Sequence, residues 1–337
     1  MTLRIGLVGA GWVTRHHLDA WKRLDAEASV VAIADPVLER AQARAQEFGI
    51  GAVFDCAAAM LDEQALDAVD IAAPRAFHAD LVRLAADRGV PVLCQKPLAP
   101  TLAEAQKLVR EVGARNRLMV HENWRFRPYY RQAADWLRQG RLGKIKGAAL
   151  TLLTSGTVRD AEGRYPALER QPFIADETRM LVGEVLIHHL DTLRFLLGAL
   201  EVKAACLSRS CPVIRGEDSA TIHLSTAGDA GVSLFGSFAA HGAAIQQRDE
   251  LIILGEKATL RLDGSVLSIH DDGTEEIVYD ADEVYAASYT STIAHFIDCL
   301  RTGAAFETSP EDNLMTLKLV EDCYRLSNWE RKAGAAA

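Results

Sequence analysis

Leu3-Arg4-Ile5-Gly6-Leu7-Val8-Gly9-Ala10-Gly11-Trp12-Val13-Thr14 is the stretch that decides the fold of this 337-residue chain. The mostly apolar run Leu3 to Val8 reads as a buried strand. Gly9-Ala10-Gly11 reads as a tight turn, and Val13 through Leu24, with Val13, Leu18, Trp21 and Leu24 apolar, as a helix. In a dinucleotide fingerprint the first glycine permits the turn, the second lets backbone approach a pyrophosphate, and the helix N-terminus favours the anion. The motif alone is a weak signal, because Thr14 stands at its third position in place of Gly or Ala. A plain tight turn at Gly9 and Gly11 is the competing reading.

The continuation favours the fingerprint. Val30 to Ala34 is a second buried-strand run, and Asp35 at its end stands where an acidic residue accepts hydrogen bonds from an adenosine ribose. A carboxylate there repels a 2′-phosphate, so NAD is expected over NADP; Arg40, a turn into the next helix, works against that preference. Pro36 opens a helix over Leu38 to Phe48, with Gly49 as its C-cap. Ala68 to Ala72 then reads as strand, His78 to Arg88 as helix closed by Gly89, Val90 to Cys94 as strand, Leu102 to Ala114 as helix and Leu118 to Val120 as strand. Repeated βα units with non-alternating strands imply a parallel sheet covered on both faces.

Cys94-Gln95-Lys96-Pro97 closes one of these strands. Proline lacks a donor, fixes its own φ and pushes Lys96 toward an extended conformation. At the carboxyl end of a parallel strand the ammonium is aimed at the crevice where open α/β sheets bind ligands.

After His121-Glu122 the rhythm changes. Tyr130 to Leu137 is helical. From Lys144 strands follow one another between Gly and Asp turns: Ile145 to Leu153, Ala204 to Cys211, Ala220 to Ser225, Val232 to Phe238 and Glu250 to Leu254, with hairpin pieces around Ala258 to Leu262 and Val266 to Ile269. Such a run implies an antiparallel sheet. Among these strands, Gly183 to Gly198 reads as a largely buried helix with Glu184, His188 and Asp191 on one face. A carboxylate one turn before a histidine holds its tautomer and raises its basicity, as a general base requires; a structural pair around a buried histidine is the plainer reading. His189 diverges from His188 and reads as packed or paired, and Asp191 as holding Arg194 or the adjacent backbone. Adjacent helical histidines diverge and no third ligand is evident, so no metal is expected. The long connection from Gly156 to Glu177, with Arg159, Arg164, Tyr165, Arg170 and Gln171, is a candidate lid.

The bulk numbers agree with a two-domain globular protein: 49% hydrophobic, 25% charged, net charge -9. That balance, with no basic block, argues against nucleic acid or an anionic membrane as partner. The chain shows no signal-peptide h-region and no uninterrupted apolar span of membrane length, which points to the cytoplasm. Cys56, Cys94, Cys206, Cys211, Cys299 and Cys323 are scattered and read as reduced thiols. The terminal Ala333 to Ala337 reads as frayed.

Ala73-Pro74-Arg75-Ala76-Phe77-His78, Val92 to Ala99 around Lys96-Pro97, Asn123-Trp124-Arg125-Phe126-Arg127-Pro128, His188-His189-Leu190-Asp191 and Ser309-Pro310-Glu311-Asp312, together with the glycine motif, resemble the Gfo/Idh/MocA oxidoreductase family over nearly the whole chain. The resemblance implies an N-terminal Rossmann domain, residues 1–122, and a C-terminal α/β domain, residues 123–337, with a large, mainly antiparallel open sheet that binds substrate and serves homodimers or homotetramers. It implies an NAD-dependent dehydrogenase acting on a hydroxyl of a sugar or polyol, with Lys96, His188 and Glu184 catalytic. Cofactor binding would fall to Gly9, Gly11, Trp12, Val13, Asp35, Arg40, Pro74, His78, Lys96 and Asn123, and substrate binding to Lys96, Glu122, Arg125, Tyr165, Glu184 and His188. Arg125 has four readings: positioning Glu122, the sugar or the nicotinamide carboxamide, or tying the domains together. The chain departs from the family pattern at Gln95, usually Glu; at Ala73 and Arg75 in a segment usually Thr-Pro-Asn; and at Glu184, usually Asp. A neutral Gln95 removes one expected stabiliser of the Lys96 charge and turns attention to Glu184. Within the family, Val120 to Pro128 and Gly183 to Gly198 are most similar to members that oxidise D-apiose to its lactone. An NAD-dependent glycosidase and a non-catalytic dinucleotide-binding sensor are the alternatives.

Overall fold

The computed structural model describes residues 2–330, so the Ala333 to Ala337 tail lies outside the described residues. Two compact units make up the chain: Met1–Arg127 with Tyr285–Leu317, and Pro128–Val284 with Lys318–Ala337. The first unit therefore extends a little past residue 122 and also takes in a segment from near the C-terminus.

In the first unit, six strands form one parallel sheet in the order β3-β2-β1-β4-β5-β6. They are β1 (Leu3–Val8), β2 (Ala28–Ala34), β3 (Ala52–Phe54), β4 (Ala68–Ile71), β5 (Val92–Gln95) and β6 (Leu118–His121). Helices α1 (Trp12–Arg23), α2 (Leu38–Phe48), α3 (Ala57–Glu63), α4 (His78–Asp87) and α5 (Leu102–Val112) alternate with them. This is the doubly wound order in which ligands bind beyond the carboxyl ends of the strands. Helix α2 ends at Gly49 in the left-handed conformation, and α5 starts at a reciprocal Thr101/Glu104 capping box. The short β3 and α3, which the apolar runs do not single out, complete one edge of the sheet. Ile5, Leu7, Ile33 and Leu93 share a core cluster with Tyr289, Ile293, Phe296 and Ile297, so the late segment packs with the parallel sheet through long-range contacts.

In the second unit an eight-stranded sheet runs β14-β13-β12-β11-β7-β10-β9-β8. Its strands are β7 (Ile145–Leu153), β8 (Leu200–Ser208), β9 (Ser219–Thr226), β10 (Gly231–Ser237), β11 (Asp249–Gly255), β12 (Thr259–Asp263), β13 (Val266–His270) and β14 (Thr274–Val278). Neighbours are antiparallel except β7 and β10, which are parallel. Alternation along the strands buries Leu150, Leu152, Ile222, Leu234, Ile253 and Leu260 on one face. The helices here are α6 (Pro128–Arg138), the short α7 (Pro166–Arg170) and α8 (Ile187–Leu197); α9 (Ala281–Thr302) and α10 (Pro310–Ser327) each run from one unit's residues into the other's.

The helix expected over Gly183 to Gly198 is not uniform. Leu181–Leu186 is a π turn, and the α-helical part begins at Ile187. Glu184 and His188 therefore straddle a change of pitch, so the simple same-face rule does not apply to them unmodified. The Gly156 to Glu177 connection likewise carries structure of its own, α7 and a 3₁₀ turn over Pro172–Ala175. Ala167 N–H donates to the Gly156 carbonyl at 2.8 Å and Thr157 N–H to the Phe238 carbonyl at 2.8 Å, which pins the base of the connection to the end of β10. Among the described residues no helix is long and apolar enough to cross a membrane.

Candidate active site

The first unit holds a cofactor cradle. Gly9 has φ +102°, and a Cβ there would lie 2.6 Å from the Ala72 carbonyl oxygen, so only glycine fits. Gly11 opens onto free space, with nothing within 4 Å of a built Cβ, and it precedes α1 with no side chain capping the helix. An uncovered glycine followed by uncapped helix N–H groups suits a pyrophosphate. Thr14 donates its hydroxyl to the Gly9 carbonyl at 3.1 Å, so the residue that weakens the motif locks the turn. Gly9→Ala should destabilise the fold by about 3 kcal/mol. Gly11→Ala should melt like the wild type while losing NAD affinity. Thermal melts with and without NAD separate the two effects.

Asp35 braces the glycine turn. One carboxylate oxygen accepts from Ala10 N–H at 2.7 Å and the other from Val37 N–H at 2.8 Å, which ties the end of β2 to the glycine turn. Each oxygen keeps a second lone pair for a ribose hydroxyl. Arg40 is exposed on α2. Trp12 is exposed and packs edge-on against His16 at 4.7 Å, and Val13 beside it is half-buried.

Lys96 directly follows β5, half-buried, and its peptide bond to Pro97 is cis. His78 lies beneath this loop. One ring nitrogen is 2.7 Å from the Pro97 carbonyl and the other 2.8 Å from the Ala73 carbonyl, so His78 joins the turn after β5 to the turn after β4. Pro74, exposed, opens the 3₁₀ turn Arg75–Phe77 before α4. Glu122 is buried and accepts from Trp124 N–H at 3.2 Å. Asn123 donates its amide to Ser288 Oγ at 2.8 Å, and buried Arg125 donates to Asp312 at 2.7 Å with Glu307 at 3.8 Å. Asp312 and Glu307 belong to the same unit as Arg125.

Gln95 faces inward. Its amide oxygen accepts the Lys96 backbone N–H at 2.7 Å, and its nitrogen faces His17 Nε2 at 3.1 Å. The side chain thus turns into the sheet's interior, and any influence on Lys96 passes through the backbone. His17 and Asp70 behind it were not singled out from the sequence. Asp70, an acid inside the apolar run Ala68-Val69-Asp70-Ile71, was the available signal, because a buried charge demands partners.

In the second unit, Glu184 lies half-buried in the π turn and His188 is buried one residue into α8. His189 is a paired histidine: Nε2 is 2.9 Å from Asp249, which also accepts from Tyr130 OH at 2.8 Å. This anchors α8 to β11 and α6, and leaves His188 about 100° around the helix from its neighbour. Asp191 has Arg194 Nη1 at 3.7 Å. Tyr165 directly precedes α7, and its hydroxyl accepts from Arg159 Nε at 2.9 Å.

Buried Glu217 holds the π turn. It accepts from Val182 N–H at 2.9 Å, Met180 N–H at 3.3 Å and Tyr324 OH at 2.6 Å, while Gly183 N–H donates to Tyr324 OH at 3.0 Å. Burial pushes the Glu217 carboxyl above its usual range against these hydrogen bonds. Folded protein then holds this proton more tightly than unfolded chain, so the Glu217 contribution to stability falls as pH rises from about 4.3 through the raised value. Glu217→Gln should lack that fall, seen by comparing urea melts of variant and wild type from pH about 4 to about 8. Glu217→Ala, leaving three donors without an acceptor, should cost at least about 2 kcal/mol.

Residues 3–122 match the family described as an oxidoreductase family with NAD-binding Rossmann fold, and residues 136–333 match its C-terminal α/β domain. A D-apiose dehydrogenase of Paraburkholderia graminis is 37% identical over 331 residues, covering 94% of this chain and 86% of the relative. A D-apiose dehydrogenase of Rhizobium rhizogenes is 30% identical over 338 residues, covering 96% and 94%. The crystal structure of an oxidoreductase from Agrobacterium radiobacter in complex with NAD+, L-tartaric acid and magnesium superposes with a TM-score of 0.90 at 29% identity, covering 97% of each chain. With the doubly wound parallel sheet, the open glycine cradle and both domain matches in agreement, this chain belongs to the Gfo/Idh/MocA family of NAD-dependent oxidoreductases.

Proposed function

We propose that this protein oxidises D-apiose to its lactone, with NAD as acceptor. The observation that carries the reading is Lys96, placed directly after β5 at the strand edge where the glycine cradle follows β1. Relatives over 94% and 96% of this chain that are D-apiose dehydrogenases support the choice of sugar.

Bound NAD supplies the redox chemistry by accepting hydride from the carbinol carbon. Gly9, Gly11 and Asp35 bind and orient the dinucleotide; Trp12, Val13, Pro74, His78 and Asn123 shape or brace the cradle. Lys96 donates to the substrate hydroxyl oxygen and steadies the negative charge that develops on it; such preorganised donors supply a few kcal/mol each. A ring nitrogen of His188 takes the hydroxyl proton, and Glu184 orients that ring or a sugar hydroxyl. Glu122 and Tyr165 are each assigned to hydroxyls of the substrate, and Arg125, held by Asp312, to its positioning.

The second unit's sheet leaves Phe235, Leu254 and Val278 exposed on the face opposite its buried side chains. That face suits a second copy of the chain in a cytoplasmic homo-oligomer, and sedimentation as a monomer would refute it.

A panel of D-apiose, aldoses, polyols and inositols tests the reaction by NADH release. D-apiose should give the highest kcat/KM, by at least about tenfold. A preferred inositol would overturn the substrate. Glycoside cleavage without net NADH, or NAD binding without turnover of any carbohydrate, would overturn the dehydrogenase reading.

A further inference from the structure

We propose that Gln95 is a positioning residue for Lys96, and that His17, Asp70 and Trp21 form with it a buried relay that requires an amide at position 95. The relay lies wholly within the first unit. His17 Nδ1 is 2.8 Å from Asp70 Oδ2, and Trp21 Nε1–H donates to the same oxygen at 2.7 Å. His17 Nε2 then meets the Gln95 amide nitrogen at 3.1 Å, and Gln95 Oε1 accepts Lys96 N–H at 2.7 Å. All four side chains are buried.

The hydrogen-bond directions follow from one fixed donor. A backbone N–H can only donate, so the atom facing Lys96 N–H is the amide oxygen. The Gln95 nitrogen is therefore turned to His17 and donates to Nε2, which must be unprotonated there. The ring proton sits on Nδ1 and is given to Asp70. Trp21, also a donor only, confirms Asp70 as the acceptor at the end of the chain.

This geometry explains why the amide matters. Among the described residues Asp70 Oδ1 has no hydrogen-bond partner, so the buried carboxylate relies on two N–H groups aimed at its other oxygen. A second ring proton on His17 would serve that carboxylate electrostatically, but the Gln95 amide nitrogen faces the only place for it. A glutamate at 95 would still accept from Lys96 N–H but would oppose Nε2 with an acceptor, and the ring would have to take a second proton to satisfy both sides. The other groups against the His17 ring are His121 of β6, with ring centroids 4.3 Å apart, and Tyr289 of α9, at 5.3 Å. Cys94, next to Gln95, has its thiol pushed up by burial and by the charge of Asp70. With the amide in place, the backbone that carries Lys96 is fastened to helix α1 and strand β4 through a neutral ring of fixed tautomer.

The functional half of this proposal rests on Lys96 acting on the substrate, as proposed above; the tautomer does not. Nitrogen-15 NMR of the His17 ring in the full-length protein, assigned with His17→Gln, should show a protonated Nδ1 and an unprotonated Nε2 at neutral pH. A protonated Nε2 would overturn the relay. In Gln95→Glu both ring nitrogens should be protonated at the same pH; an unchanged ring would overturn the requirement for an amide. Gln95→Leu, which fills similar space without hydrogen bonds, should lower kcat by about 100-fold, with KM and NAD affinity within about threefold of wild type. Wild-type kcat in Gln95→Leu, or a parallel loss of NAD affinity, would overturn the positioning role. Lys96→Met measured alongside separates the two ideas: if it keeps its turnover, the Lys96 role fails while the NMR result still decides the relay.

Discussion

Lys96→Met should lower kcat by about 10²–10³-fold, the usual cost of removing one preorganised donor to a developing oxyanion. The methionine keeps most of the apolar stem of the lysine and removes only the ammonium. Pro97 and the His78 bridge to the Pro97 and Ala73 carbonyls remain, so the loop after β5 should keep its course. NAD should therefore bind with near wild-type affinity, measured by fluorescence titration, because Gly9, Gly11 and Asp35 are untouched. The loss should fall mainly on kcat, since the charge the lysine stabilises develops only as the proton and hydride leave. A variant whose KM rises with unchanged kcat would make Lys96 a binding residue only.

His188→Ala should lower kcat by about 10²–10⁴-fold, the range for a lost general base. Helix α8 keeps its anchor through His189, Asp249 and Tyr130, so the variant should fold and melt near the wild type. Added imidazole should restore part of the activity, because the truncated side chain leaves room for a base of the same chemistry. Near-normal turnover without rescue would remove His188 from the proton-transfer step. Running His189→Ala in parallel gives a contrast: that change strands the buried Asp249 carboxylate without its histidine partner and should cost stability first.

The parallel sheet was legible because its central strands are buried on both faces and read as continuous apolar runs, with Gly9, Asp35 and Pro97 marking their ends. Strands of the second sheet were legible by alternation, and β7 falls on Ile145–Leu153 as read. The π turn was not, since Leu181 to Leu186 has the composition of any apolar helical turn, and the acceptor that holds it, Glu217, comes from a distant loop. The same limit applies to residues Tyr285 to Leu317. Tyr285, Tyr289, Ile293 and Phe296 recur at helical spacing, but their packing with Ile5 and Leu7 is a long-range contact that no local pattern encodes.

At the candidate site, the chain displays its chemistry-bearing residue types and hides their partners. Asp35 announces a ribose acceptor, whereas its grip on Ala10 N–H depends on how β2 ends beside the glycine turn. Arg125 announces a cation in need of carboxylates, whereas one of them, Asp312, stands 187 positions away. Gln95 announces a missing charge beside Lys96, whereas the amide turns inward to His17. In each case the residue was visible and its hydrogen-bond direction was not, because direction is set by tertiary neighbours.

The most direct test of the central claim is isotope transfer. The best substrate of the carbohydrate panel, carrying deuterium on the carbon to be oxidised, is turned over with NAD and the reduced cofactor is weighed by mass spectrometry. Direct oxidation of a sugar carbinol by NAD predicts reduced cofactor that carries the deuterium, one label per lactone or ketone formed. Unlabelled reduced cofactor, or deuterium released to water with no oxidised sugar, would contradict it.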